Sequence, residues 1–433
     1  MKFSTKYVKN LQSLLIGSIM LSVFSMTSNA LTLQQAITGM LKDNPDVQEA
    51  RREILAREHE IRGAKAGYLP TLDAEAGVGR EWTQSLSTRG VGRTLTREEA
   101  ALRLRQVVYD GFKTSNQIDR QKARYKSALY NAIDVQENAA LRASQAYINV
   151  LRNAELLALL KASLNQHENI YDQMSLRSQA GAGSKADVDQ IQVRLSLASS
   201  DFIAGKNNFL DSLSQFQGLV GYIPDASAME APSTLAVPAS LDDSLKIAFD
   251  QHPAIKSAQA DIEAAAARYA SAKSKYHPTL HIEGDRTWNE DIDGAVGENE
   301  DWVIALRLRY NIYNGGKDVA RRKQTAELLQ QSKEIHRGAR WETEEGMRLS
   351  WYAYEATLQQ LGHLEVHVNS VSATKDAYVK QFNIGKRTLL DLLDTEREFI
   401  RANQAYINTK YDHLYSQIRV LNSSGQLTKA LGI

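Results

Sequence analysis

Two hydrophobic rhythms divide this chain. Between Lys113 and Ala180, apolar positions such as Leu129, Ile133, Leu141, Ile148, Leu156, Leu160 and Leu164 fall four, seven or eight residues apart, which lines them along one face of a helix. That stretch holds neither proline nor glycine over 68 residues, and a second one, Lys317–Ile384, has the same length and no proline. Both are rich in Ala, Leu, Gln, Lys, Arg and Glu, the residues that give up least on entering a helix. An uninterrupted helix of that size is roughly 100 Å long. Each is followed by a glycine-containing break and a further helical run, Ser184–Val220 and Thr388–Ser423. Ser184 and Thr388 stand where an N-cap belongs, three residues ahead of Asp187 and Asp391.

Ahead of each long helical stretch the period drops to two. Trp302, Ile304, Leu306, Leu308, Tyr310 and Ile312 alternate with Val303, Ala305, Arg307, Arg309, Asn311 and Tyr313, which predicts a strand with one apolar face. A partner strand over Thr279–Trp288 sets Leu280, Ile282 and Trp288 against Thr279, His281, Glu283 and Asp285. Earlier in the chain, Leu72, Ala74, Ala76, Val78 and Trp82 share one face of a strand, and Leu102, Leu104 and Val108 share one face of the next. Two hairpins are expected, at about 71–112 and 279–315, with polar loops Ser85–Arg97 and Asn289–Asp301. Their other face carries Arg103, Arg105, Arg307 and Arg309 with Asp73, Glu75, Glu283 and Asp285. Hairpins packed on a soluble core also alternate. An extensive aliphatic face, charge opposite it and aromatics at the strand ends suit the wall of a membrane barrel, with apolar residues outward and the arginines toward the lumen.

These elements come twice because the chain is duplicated. Asn44-Pro45-Asp46-Val47 returns as His252-Pro253-Ala254-Ile255, and Tyr68-Leu69-Pro70-Thr71-Leu72 returns as Tyr276-His277-Pro278-Thr279-Leu280, both offset by 208. From Ala101-Leu102-Arg103-Leu104-Arg105 and Ala305-Leu306-Arg307-Leu308-Arg309 onward the offset is 204, and it holds through Gly181 and Gly385, Asp187 and Asp391, Gly221 and Gly425. One four-residue length difference in the hairpin region explains both numbers. The first repeat covers 31–221: short helices, the hairpin, the long helix 113–180 and the helix 184–220. The second covers 241–425, with its long helix at 317–384 and a last helix at 388–423. Three prolines clustered in 222–240 mark a linker, and 426–433 is a C-terminal tail.

Composition narrows what the two copies do. There is no cysteine, so no disulfide framework, Cys-ligated metal or thiol nucleophile is possible. Lys and Arg number 52 against 51 Asp and Glu, without the basic excess of nucleic-acid binders, so no nucleic acid is expected. Residues 1–30 read as a signal peptide: Lys2, Lys6 and Lys9, an apolar Leu11–Phe24, then Ser28-Asn29-Ala30. Removing three lysines and no acid takes the formal charge from +1 to −2. Elsewhere no stretch is long and apolar enough for a spanning helix, so any crossing of a membrane falls to the strands.

Four strands cannot close a barrel alone, since the smallest common ones use about eight, and lipid tolerates no open sheet edge. Several chains must share one wall. Two would give eight strands, whose interior fills with side chains; three would give twelve and leave a passage. Continued by helices of roughly 100 Å, such a barrel becomes a tube.

At this point the chain resembles a known family. Phe382-Asn383-Ile384-Gly385-Lys386-Arg387-Thr388-Leu389-Leu390-Asp391-Leu392-Leu393-Asp394 looks like the helix–helix turn at the periplasmic entrance of TolC-type outer-membrane efflux proteins. Gly181-Ala182-Gly183-Ser184-Lys185-Ala186-Asp187-Val188 resembles that family's other turn. The Asn-Pro openings, the Tyr-x-Pro-Thr-Leu strand starts and the Tyr-x-Gly strand ends also match, so the resemblance spans 31–433. It implies an α+β membrane protein of two tandem structural repeats, with four β-strands per protomer in a trimeric 12-stranded β-barrel continued by a long α-helical coiled-coil tunnel. It also implies a homotrimer in outer-membrane lipid, extending into the periplasm and docked through a periplasmic adaptor (a membrane fusion protein) onto an inner-membrane transporter.

The absent lipid-anchor cysteine and the Gly-Ala-Gly-Ser turn look more like the type I secretion branch, coupled to an ABC exporter, than the drug-efflux branches coupled to an RND pump. The resemblance places a periplasmic gate on Asp391, Asp394 and Arg387, with Phe382 where the family has a tyrosine. Adaptor docking falls on the helix-turn tips at Gly181, Ser184, Asp187, Gly385 and Thr388. One turn separates Asp391 from Asp394, so both can face one way; the alternative is that they are first-turn residues favoured by the helix dipole, which is the preferred reading for Asp187. Trp302, Ile304, Leu306 and Leu308 are expected to face lipid, and Arg103, Arg105, Arg307 and Arg309 the barrel lumen, paired with acids of the neighbouring strand. No catalytic constellation, cofactor or metal is expected: Gly315-Gly316-Lys317 lacks the remaining residues of a phosphate loop. A secreted coiled-coil scaffold and an envelope enzyme are the two rival classes.

Overall fold

The computed structural model describes residues 31–433 except residue 234, so the leader expected over 1–30 lies outside the described residues. In chain order the elements are α1 (Leu33–Asp43), α2 (Pro45–Lys65), β1 (Thr71–Thr83), β2 (Arg93–Tyr109), α3 (Lys113–Gln179) and α4 (Lys185–Val220), followed by α5 (Leu241–Gln251), α6 (Pro253–Lys273), β3 (Thr279–Glu290), β4 (Glu298–Arg309), α7 (Lys317–Asn383), α8 (Leu389–Ser423) and the short α9 (Leu427–Ala430). Asn44 and His252 begin α2 and α6 alike: each side chain accepts a backbone N–H of the first turn and each is followed by proline at the first helical position, where the missing N–H costs nothing. Both long helices, α3 and α7, run unbroken for 67 residues.

All four strands form one antiparallel sheet in the order β1-β2-β3-β4. The two hairpins therefore join through β2 and β3, and β1 and β4 are left as open edges. The strands run further into the polar segments than the alternation indicated, with connections of only 84–92 and 291–297. Cross-strand pairs such as Arg97 to Glu81 (2.9 Å) hold the polar ends together after the apolar run has stopped. At its other end β4 stops at Arg309, so Tyr310 and Ile312 follow the strand.

The main core lies where the ends of the two copies meet. Ile37 and Met40 of α1, Tyr147 and Val150 of α3, Phe216 of α4, Ile418 of α8 and Leu427 of α9 are all buried in it. Tyr147 Oη lies 2.6 Å from the Leu31 carbonyl and 2.7 Å from that of Glu230, and its burial pushes its pKa up to about 12. Leu31 also bridges to Met229, so the segment read as a linker is packed against the start of the described chain. The tail is held too: buried Glu137 accepts the Leu427 and Thr428 backbone N–H groups at 2.9 and 3.0 Å, which caps α9.

Candidate functional site

The sheet presents two chemically distinct faces. Opposite residues in an antiparallel ladder share a face, so the register puts Leu72, Leu104, Gly284 and Ile304 in one row. Ile282 with Leu306, and Leu280 with Leu308, continue the same face. It is apolar and uncovered: Trp302, Ile304, Leu306 and Leu308 are each about two-thirds to three-quarters exposed, at 68%, 73%, 65% and 67%. The other face carries ion pairs in a lattice. Arg103 pairs with Glu75 at 2.7 Å and reaches Asp285 of the other hairpin at 3.8 Å; Arg307 pairs with Glu283 at 2.5 Å. Arg105 lies 3.2 Å from His281. One charged pair, Arg286 with Glu300, stands on the apolar face beside Trp288.

At the far end of the long helices, both turns close in the same way. Gly181 and Gly385 take φ of +70° and +75°, and the next residue's N–H reaches back across the turn, Ala182 to Arg177 and Lys386 to Gln381, each at 2.9 Å. This is a Schellman closure, which glycine permits without strain. Ser184 and Thr388 then cap α4 and α8. Gly181, Ser184, Gly385 and Thr388 are exposed at the tip, and Asp187 is half-buried.

The residues expected at the gate gather at this tip, with different partners for each acid. Asp391 accepts from both the Thr388 hydroxyl and the Thr388 N–H, a reciprocal capping box, and these bonds hold its carboxyl below the usual range. Arg387 approaches it at 3.9 Å while stacking over Tyr378 and bonding Gln381. Within one chain, then, Arg387 bridges the end of α7, through Tyr378 and Gln381, to the first turn of α8, through Asp391. Asp394 faces across: Arg194 of α4 lies 3.4 Å away and Arg397 3.2 Å. Phe382 is buried with Ile170, Met174, Ile191, Leu389, Leu392 and Leu393, and the Arg177 guanidinium sits over its ring. This packing of the α3–α4 pair against the α7–α8 pair stands where a tyrosine hydroxyl is absent. Arg177 and Arg194 are missed by the sequence reading, since nothing local signals a partner some two hundred residues away.

His363 and His367 stand one turn apart on α7, a His-x-x-x-His spacing in a chain where no such pairing and no metal is expected. His367 lies 3.3 Å from Glu398, and among the described residues no group of three possible metal ligands comes together. No described helix is long and apolar enough to cross a membrane.

The pattern of a family described as outer membrane efflux protein matches residues 36–222 and again 245–426, one match per repeat. The chain is 21% identical to the outer membrane efflux protein BepC of Brucella suis, over 97% of this chain and 91% of that protein. To the outer membrane protein TolC of Escherichia coli it is 24% identical, over 98% and 87%. Its fold superposes on the Campylobacter jejuni CmeC outer membrane channel with a TM-score of 0.79 at 18% identity, covering 91% of this chain and 86% of that one.

Proposed function

The chain belongs to the outer membrane efflux protein family, and on that premise we propose that it is the outer-membrane duct of an export system energised at the inner membrane, serving type I protein secretion. The family's fold gives each protomer four strands of a shared twelve-stranded barrel and a share of a helical tunnel, and its place is the bacterial outer membrane with the tunnel in the periplasm. One observation carries the reading: a four-stranded sheet with two open edges and a bare apolar face sits on the same chain as two 67-residue helices. Lipid leaves such edges no partner except another copy. Three copies close the ring, the ion-paired face turns to water, and the helices extend the bore by roughly 100 Å.

In this reading the protein performs no chemistry. Cargo is handed over by an ABC exporter through a periplasmic adaptor that docks on the exposed tips at Gly181–Ser184 and Gly385–Thr388. The similarity of Gly181–Val188 to the corresponding turn of the secretion branch supports that assignment over drug efflux. Asp391 and Asp394 form two acidic rings at the entrance, and the Asp394–Arg194 contact with the Phe382 packing holds the two helical pairs closed.

Fractionation and planar-bilayer recording test the duct. The mature protein should sit in the outer membrane and give discrete channels; a soluble periplasmic protein without conductance overturns the reading. Replacing Asp391 and Asp394 by Ala should weaken block by divalent cations about tenfold or more, as loss of two carboxylate rings implies. Unchanged block removes these acids from the gate.

A further inference from the structure

Where the strands give way to helices, the N-terminal turns of α3 and α7 flank the C-terminal end of α6 and enclose a cavity of about 580 Å³. Six of its lining side chains are cationic: Lys113, Arg120, Arg268, Lys275, Lys317 and Arg321. Among the described residues none of the six has a carboxylate within ion-pair distance. One acid, Asp318, also lines the cavity and offsets one of the six charges, which leaves a clear cationic excess, and the acids around it have partners of their own. Asp318 accepts from the Asn314 amide at 2.6 Å, Asp110 accepts from the Thr114 N–H at 2.9 Å, and Glu60 is held by Arg57 and Arg124. Burial and the neighbouring guanidiniums of Arg124, Arg268 and Arg321 push Arg120 below the ordinary arginine range. Six like charges crowded against a single lining carboxylate raise the energy of the empty site and favour whatever anion relieves it.

The cavity adjoins the ion-paired face of the sheet, which the duct reading turns toward the bore. Lys113, Ser274 and Lys275 also line a second cavity, together with Thr71, Arg105, Thr279 and Arg309, all on the ion-paired face of the sheet.

We propose that these six side chains form an anion-binding collar inside the duct at the barrel–tunnel junction, which biases passage toward anions and transiently holds carboxylate- or phosphate-bearing groups of the cargo. The proposal deepens the duct reading and rests on it for the collar's placement around a shared axis, where three protomers bring three such clusters together. Arginine suits the task, because its fork binds carboxylate and phosphate alike and stays charged at every physiological pH.

The test uses full-length protein in detergent, with inorganic tripolyphosphate as the probe, and the same protein in bilayers under a salt gradient. Arg268→Glu with Arg321→Glu should weaken tripolyphosphate binding at least tenfold and shift the reversal potential toward cation preference. Arg268→Gln with Arg321→Gln, which adds no new charge to the fold, should shift both in the same direction by less. Channels that conduct with unchanged selectivity, or tripolyphosphate affinity equal in wild type and both variants, overturn the collar and leave the duct standing. Tripolyphosphate binding that the variants abolish in a protein that never conducts would sink the duct and keep the anion site.

Discussion

On α8 the Glu396 side chain is only 2% exposed, and a single partner, Lys375 Nζ at 3.5 Å, meets one of its carboxylate oxygens while the other has none. Around it stand Lys375 and Asp376 of α7 and His167 of α3. Burial raises its pKa, because the neutral acid tolerates a dry site better than the anion. The sign follows from linkage. A carboxyl raised above its unfolded value of about 4.3 adds stability below that pH and loses it as pH climbs through the folded value. Glu396→Gln should therefore unfold at a higher temperature than wild type at pH 8, by about 1–3 °C in so large a chain. The gain should shrink as pH falls, because the native acid takes up its proton more readily than the unfolded one. Equal differences at pH 8 and at lower pH in thermal melts would refute this account. Single residues were legible only where their neighbours in sequence carried the signal. The Thr388–Asp391 spacing announces its capping box, and the same box shows that Asp391 also serves the helix. Arg194 and Arg177 gave no local sign, because each finds its partner across from the other repeat.

At the scale of elements, duplication did most of the predicting: two copies in one register expose the same proline breaks and the same two periods twice. Both strand-to-helix junctions indeed share a backbone path, with Gly111 and Phe112 at φ +67° and +64° and Gly315 and Gly316 at +70° and +83°. Their surroundings differ. A Cβ at Gly111 would meet the Ser274 carbonyl oxygen and His277 Cβ, both at 2.7 Å, whereas at Gly315 nothing lies within 4 Å. Gly315→Ala therefore costs only the left-handed backbone term, about 1–2 kcal/mol. Gly111→Ala adds a clash with a backbone atom that cannot turn aside, and its loss of thermal stability should be at least twice as large. Equal losses in the two variants would show that the packing around Gly111 yields freely. The ends of the strands were the less legible part. Their outer halves are held by charged pairs such as Arg97 with Glu81, and a polar run of that kind reads as loop when hydrophobic period is the guide.

For the whole molecule, the apolar face decides whether three chains meet in lipid or one chain stays in water. From Trp302 to Tyr310 the chain advances eight residues, and at about 3.3 Å per residue and a tilt near 40° it climbs roughly 20 Å, most of the ~25 Å apolar band of an outer-membrane barrel. The Arg286–Glu300 pair beside Trp288 marks where that band ends toward the hairpin loops. Leu306 lies well inside it, opposite Ile282. An arginine there would face hydrocarbon without a partner, a cost of about 2–4 kcal/mol per protomer near the midplane, incurred three times in a closed ring. Leu306→Arg should sharply reduce the heat-modifiable trimer recovered from outer membranes, while Leu306→Phe should leave it near the wild-type amount. Arg103→Gln, on the ion-paired face, should also leave the yield intact, since its loss exposes Glu75 and Asp285 only to water. If instead the two arginine variants assembled equally well, the exposed aliphatic face would not be the one in lipid, and the barrel would have to be turned inside out or given up.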